Sequence, residues 1–115
     1  MKKAILSVLA ALALGSCTTT TKALYSWYDY EDATYQYNKK PTDEQRLKVL
    51  EQYVKVISKQ KATRGAVPPG LYAEYGYMLC KGGEKDKGLT YMKKETELYP
   101  ESEKYISRII KQLEK

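Results

Sequence analysis

The residues of this chain best suited to covalent chemistry are its two cysteines, Cys17 and Cys80. A thiol reacts when its surroundings favour the thiolate, whereas among apolar groups it behaves as a small hydrophobe. Cys17 follows Leu14-Gly15-Ser16, an aliphatic residue and two small ones. Cys80 follows Tyr77-Met78-Leu79, a setting that suits a buried thiol, although an exposed one would allow an intermolecular disulfide. There is no His, which removes the usual general base, the usual metal ligand and the usual switch near neutral pH. The sequence carries no Gly-rich phosphate loop, no Cys/His metal spacing and no Ser/His/Asp set. Its carboxylates lie mostly at expected helix starts and on polar faces, where capping and solvation are their ordinary roles. These patterns predict no catalytic residue, no metal and no cofactor beyond a covalent group on Cys17.

What precedes Cys17 indicates that group. Lys2 and Lys3 give a positive start, and Ala4 to Leu14 is an eleven-residue apolar run. A bilayer span needs about 20 apolar residues, so the run has the size of a secretory signal instead. Its end, Leu14-Gly15-Ser16-Cys17, resembles the bacterial lipoprotein signal, in which the cut falls before the Cys and the Cys is lipidated on its thiol and new amino group. The competing reading is an ordinary secreted protein with Cys17 unmodified. The expected organisation is a signal peptide over 1–16, lipidated Cys17 with a polar tether over 17–23, and one helical domain over 24–115. With Cys17 lipidated, Cys80 has no internal partner, so the domain must be held by helix packing or oligomerisation. Thr18 rather than Asp after Cys17 favours the outer membrane where the enteric sorting rule applies. Nucleic acid is excluded by that compartment, even though the chain carries a net charge of +6.

The domain must then supply elements that present a surface beside the membrane. With 43% hydrophobic and 30% charged residues, 115 residues suffice for one small packed domain. Twelve Tyr, one Trp and no Phe mean that most aromatic area comes with a hydroxyl needing a partner, which suits half-buried faces and interfaces. Residues 24–38 (LYSWYDYEDATYQYN) read as a helix, with an extended start as the alternative. Trp27, Tyr28 and Tyr35 there fit either a core or a partner-binding face. Lys39-Lys40-Pro41 breaks that helix, and Thr42 with Gln45 forms a capping box opening a helix to about Lys61. Its apolar strip is Leu47, Leu50, Val54 and Ile57, broadened by Val49, Tyr53 and Val56.

Residues 69–102 predict an antiparallel helical hairpin. A proline stands at its first helical position, Lys81-Gly82-Gly83 makes its turn, and Gly76 and Gly88 mark close helix contact. Leu71, Tyr72, Tyr75, Met78 and Leu79 form the apolar face of its first helix, and Leu89, Met92, Thr96 and Tyr99 that of its second. Ser102 caps a last helix carrying Tyr105, Ile106, Ile109, Ile110 and Leu113. Lys81, Lys85, Lys87, Lys93 and Lys94 surround the turn; interleaved acids make them a solvated face, with an anionic lipid-headgroup site as the other option. The class is all-α, about five helices in antiparallel hairpins.

Laid on a 34-residue tetratricopeptide pattern starting at Pro69, the hairpin puts Tyr72, Gly76, Gly83, Gly88, Met92 and Pro100 at matching positions. Tyr75, Leu79 and Glu95 depart from the pattern, Glu95 standing where Ala is usual. Only one repeat is present, so flanking helices must serve as its neighbours.

The segments LYSWYDYEDATYQY (24–37), PTDEQ (41–45), VPPGLYAEYGYMLCKGG (67–83) and ETELYPES (95–102) resemble a family of small bacterial lipoproteins classed as domain of unknown function 4810. The resemblance implies an all-helical, repeat-like lipoprotein encoded beside a curli-secretion-channel-like lipoprotein and another small lipoprotein. No activity comes with it, so no catalytic residue is carried over. The expected function is a periplasm-facing, outer-membrane lipoprotein that binds an envelope protein, with Trp27, Tyr28, Tyr72 and Tyr75 in its core or groove. Alternatives are a structural, surface-displayed lipoprotein without a dedicated partner, and an envelope-glycan enzyme working through paired carboxylates.

Overall fold

A computed structural model describes residues 22–115 as five α-helices: α1 (Tyr30–Lys39), α2 (Asp43–Ser58), α3 (Leu71–Lys81), α4 (Lys85–Leu98) and α5 (Glu103–Glu114). A 3₁₀ turn, Pro100–Ser102, joins the last two. The protein is all-helical, and among the described residues there is no strand. Residues 1–21, with the expected signal peptide and Cys17, lie outside the described residues.

Local chemistry sets the boundaries. Thr42 opens α2 by accepting from the amide of Gln45 at 3.2 Å. Gly83, at φ +94°, takes the left-handed turn of the hairpin, while Gly82 gives room to Arg46, whose Nη2 donates to the Met78 carbonyl at 3.1 Å. That carbonyl also accepts from the Gly82 amide at 3.1 Å, and the guanidinium adds a cation at the α3 C-terminus, where positive charge is favoured. Two expected caps differ. Pro68 and Pro69 precede α3 rather than open it, because Gly70 at φ +92° is its N-cap. Ser102 does not cap α5; its hydroxyl donates back to the Tyr99 carbonyl at 2.7 Å.

The core runs through α1, α2 and α3. It contains Ala33, Val49, Tyr53, Val56, Val67, Leu71, Tyr75 and Leu79. The expected strip on α2 is therefore corrected. Leu47 and Val54 are 63% and 49% exposed, and Val49, Tyr53 and Val56 face inward. Both stripes are apolar, and the inward one carries Tyr53, whose ring meets Tyr30 of α1 and Tyr75 of α3 at 5.6 and 5.7 Å. Each fully buried aliphatic side chain contributes about 1.5–3 kcal/mol, so aromatic contact on both sides decides the face.

The helix expected over 24–38 begins only at Tyr30, so the alternative of a non-helical start is the one that holds. Residues 22–29 instead form a strap laid along the α2–α3 loop. The amides of Thr63 and Arg64 donate to the Ala23 and Leu24 carbonyls at 3.3 and 3.1 Å. Gln60 exchanges bonds with the Ser26 backbone at 3.0 and 2.8 Å. Long-range partners at these positions outcompete the helical ladder.

The hairpin of α3 and α4 is antiparallel, its register marked by Cys80 beside Gly88, Gly76 beside Gly88 and Met92, and Ala73 beside Glu95. A Cβ on Gly76 would collide with the Gly88 carbonyl and lie 2.6 Å from Met92 Cγ. The helices are in backbone contact there. This arrangement is compatible with a tetratricopeptide-like hairpin. No helix among the described residues is long and apolar enough to cross a membrane.

Candidate binding groove

The N-terminus of α3 lacks the usual means of satisfaction. Gly70 has no side chain to cap with, and two prolines precede it. The Leu71 amide donates back to the Pro68 carbonyl at 3.3 Å, and the Ala73 amide is met from another helix. Glu95, in the third turn of α4, accepts from the Ala73 amide through Oε1 at 3.3 Å. The side chain is only 2% exposed, and its Oε2 is buried without a hydrogen-bond partner. Burial pushes the Glu95 carboxyl above the usual carboxylate range, the amides of Ala73 and Gly70 pull it back, and Glu74 and Glu101 push it further up.

Glu95 forms part of the wall of a half-open groove of about 660 Å³ between the start of α3, the end of α4 and α5. Tyr77, Met92, Tyr99, Tyr105, Ile106 and Ile109 supply its apolar surface, and Glu74, Glu95 and Glu101 its charge. No Lys or Arg is among its lining residues, although the chain as a whole is basic. Across it, Tyr99 donates to the Val67 carbonyl at 2.7 Å, and burial with the neighbouring Tyr25 hydroxyl pushes its phenol up to about 12.

The far wall is α5, whose apolar stripe is only partly used. Ile106 is 3% exposed, whereas Tyr105 beside it is 68% exposed and Ile109, Ile110 and Leu113 are half-buried. The other exposed positions of α5 are polar: Glu103, Lys104, Arg108, Lys111, Gln112 and Glu114.

The tyrosines connect the strap to the hairpin. Ring centroids follow one another from Tyr25 through Trp27, Tyr30, Tyr53, Tyr75 and Tyr91 to Tyr72, at 6.4, 5.2, 5.6, 5.7, 4.7 and 6.1 Å. Each such pair adds about 0.5–1.5 kcal/mol beyond its area. Glu74 ties two of them together, accepting from the hydroxyls of Tyr30 and Tyr53 at 2.5 and 3.2 Å. Burial first, then Glu74, holds both phenols well above their ordinary value, so they remain donors. Lys94 covers the outer end, 4.7 Å from the Tyr91 ring.

The residues singled out from sequence fall in different places. Tyr75 is buried in the core and Tyr72 is half-buried, stacked on Tyr91. Trp27 and Tyr28 are each 40% exposed on the strap, away from the groove lining. Tyr28 has φ +51°, the one positive value at a non-glycine residue among the described residues, and its hydroxyl donates to the Lys59 carbonyl. Gly76 and Gly88 form the helix crossing. Cys80 is half-buried, its thiol donating to the Lys85 carbonyl at 3.5 Å and pushed up by burial. Sequence reasoning did not select Glu74, Glu95 or Glu101. The available signal was the departure of Glu95 from a position the repeat pattern keeps small.

A family model described as "Domain of unknown function (DUF4810)" matches residues 24–109, which takes in most of the strap, α1 to α4 and over half of α5. No curated protein and no solved structure matches the chain.

Proposed function

The chain belongs to the DUF4810 family, and from that premise we propose that it is a lipid-anchored protein of the bacterial outer envelope whose helical domain binds another protein. The lipid anchor rests on Lys2, Lys3, the apolar run and Leu14-Gly15-Ser16-Cys17. The binding role rests on one observation, the groove whose far wall, α5, leaves Tyr105 exposed and Ile109 only half-buried. In this reading the hairpin is a lone tetratricopeptide-like unit, α2 and α5 are its neighbours, and the partner occupies the place of the next helix. The neighbouring channel-like lipoprotein that the family resemblance implies is the first candidate partner.

A photo-crosslinking residue at Ile109, compared with one at exposed Leu47, tests the binding role in membranes. Capture of a discrete envelope protein from position 109 and not from 47 is expected; equal capture at both removes the groove from the reading. Cys17→Ala is expected to abolish membrane fractionation, and unchanged fractionation would remove the anchor.

A second reading has its own observation. Glu95, with its raised carboxyl, shares a groove with exposed Glu74 and Glu101, as a glycan-cleaving acid and base would. Against it, Glu95 Oε1 is engaged by the α3 amide, Oε2 is buried, and Glu74 already accepts two phenols. Release of sugar by the purified protein that stops in Glu95→Gln would reverse that judgement.

A further inference from the structure

The strap carries an exposed surface that the groove does not use. Leu24 is 53% exposed, and Trp27 and Tyr28 are each 40% exposed, within five residues of one another. The bonds that hold the strap also place cations beside them. Arg64 donates its amide to the Leu24 carbonyl, Lys61 donates its amide to the Ser26 hydroxyl at 3.1 Å, and Lys59 offers its carbonyl to Tyr28. Lys59, Lys61 and Arg64 are all exposed. Lys55 Nζ lies 5.6 Å from the Tyr28 ring, and Arg64 Cζ lies 6.0 Å from the Tyr25 ring. Asp29, Glu31 and Asp32 border the α1 side of this surface.

We propose that the strap and the loop over 59–64 form a membrane-seating face that lays the domain on an anionic phospholipid bilayer. Amphipathic Trp and Tyr rings settle at the headgroup level, and flanking Lys and Arg gain from anionic lipid within a Debye length. Chain length argues for the same occupant. Lys22 is five residues from Cys17 and therefore lies within about 18 Å of it. The strap is bonded to the domain, so a lipid on Cys17 holds this end of the molecule at the bilayer. That tether argument rests on the lipid-anchor reading above; the exposed aromatic and basic surface does not.

Trp27 is the single tryptophan of the chain and reports directly on its own surroundings. The full-length processed protein is reconstituted in phosphatidylcholine vesicles with and without phosphatidylglycerol, containing doxyl probes near the headgroup or deep in the acyl chains. Excitation at the red edge avoids the tyrosines. Trp27 emission should be quenched by the shallow probe more than by the deep one, at least about twofold more strongly with phosphatidylglycerol, and less as salt rises. The double variant Lys59→Glu, Arg64→Glu should lose the phosphatidylglycerol dependence while still floating with the vesicles and keeping its helical circular dichroism. Flotation without shallow quenching, or quenching unchanged in the double variant, overturns the inference. Failure of the anchor reads differently, as wild type and Cys17→Ala floating alike.

Discussion

Two helix crossings in this protein meet at α4 and end in opposite ways. Where α3 crosses α4, Gly76 and Gly88 leave no side chain between the backbones, and Met92 beside them is fully buried. Where α5 leans on α4, Ile106 is the buried contact, and the groove beside it is walled by Glu95, Tyr99 and Tyr105. One crossing is closed by removing side chains, and the other is held apart by large ones. The difference separates the part of the molecule that specifies the fold from the part that remains available to a partner.

The closed crossing should be the most sensitive position. Gly76→Ala places its Cβ against the Gly88 carbonyl and Met92, atoms that cannot move without separating the helices. Ala would otherwise gain about 1 kcal/mol in a helix interior, yet the expected net loss is about 3 kcal/mol, read from urea unfolding followed by circular dichroism. A stabilised Gly76→Ala would mean that the helices do not touch there. At the open crossing, Ile106→Ala should cost about 2 kcal/mol, since it removes the buried contact of α5 but leaves a site already beside solvent. Equal losses at the two sites would remove the distinction drawn between them.

Much of the closed region was legible in the sequence, because its signals are local. The Lys81-Gly82-Gly83 turn, the capping Thr42 and the paired glycines are each short-range devices, and the helical class follows from them. Three features were not legible. The strap is held by loop residues more than thirty positions away, so the sequence offered an extended start over 24–38 only as the alternative and could not choose it over the helix. On α2 both stripes are apolar, and the buried one was settled by Tyr30 and Tyr75, which belong to other helices. Glu95 reads as a surface acid on an amphipathic helix. Its burial is set by another helix: Gly70 makes no side-chain cap on α3, and Glu95 accepts from the Ala73 amide there.

Glu95 offers a smaller and more specific probe of the open groove. Burial raises its carboxyl in the folded state, so the fold retains that proton to higher pH than the unfolded chain does. Below the ordinary carboxylate range, about pH 4, both states are protonated and the contribution to stability is complete. As pH rises from there toward the folded value, stability is lost by about 1.4 kcal/mol for each pH unit separating the two states. Glu74 on α3, Glu101 in the 3₁₀ turn, and the hydroxyls of Tyr72 and Tyr99 are the titrating groups that face it. Urea midpoints of the wild type should therefore fall relative to Glu95→Gln between pH 4 and neutrality. Parallel profiles would show that Oε2 is not desolvated.

The smallest expected effect on stability falls one residue from a large one, at Tyr105→Ser. Tyr105 is 68% exposed and its neighbour Ile106 is 3% exposed, so truncating the tyrosine should change the urea midpoint by less than about 0.5 kcal/mol. Exposed aromatics at the centre of a groove commonly carry binding energy, and an anchor of this kind costs about 2 kcal/mol when removed. The same substitution should therefore weaken crosslinking from position 109 markedly while leaving the fold unchanged. Loss of stability together with capture would place Tyr105 in the packing of α5. Retained stability with retained capture would move the partner's contact away from the α5 end of the groove.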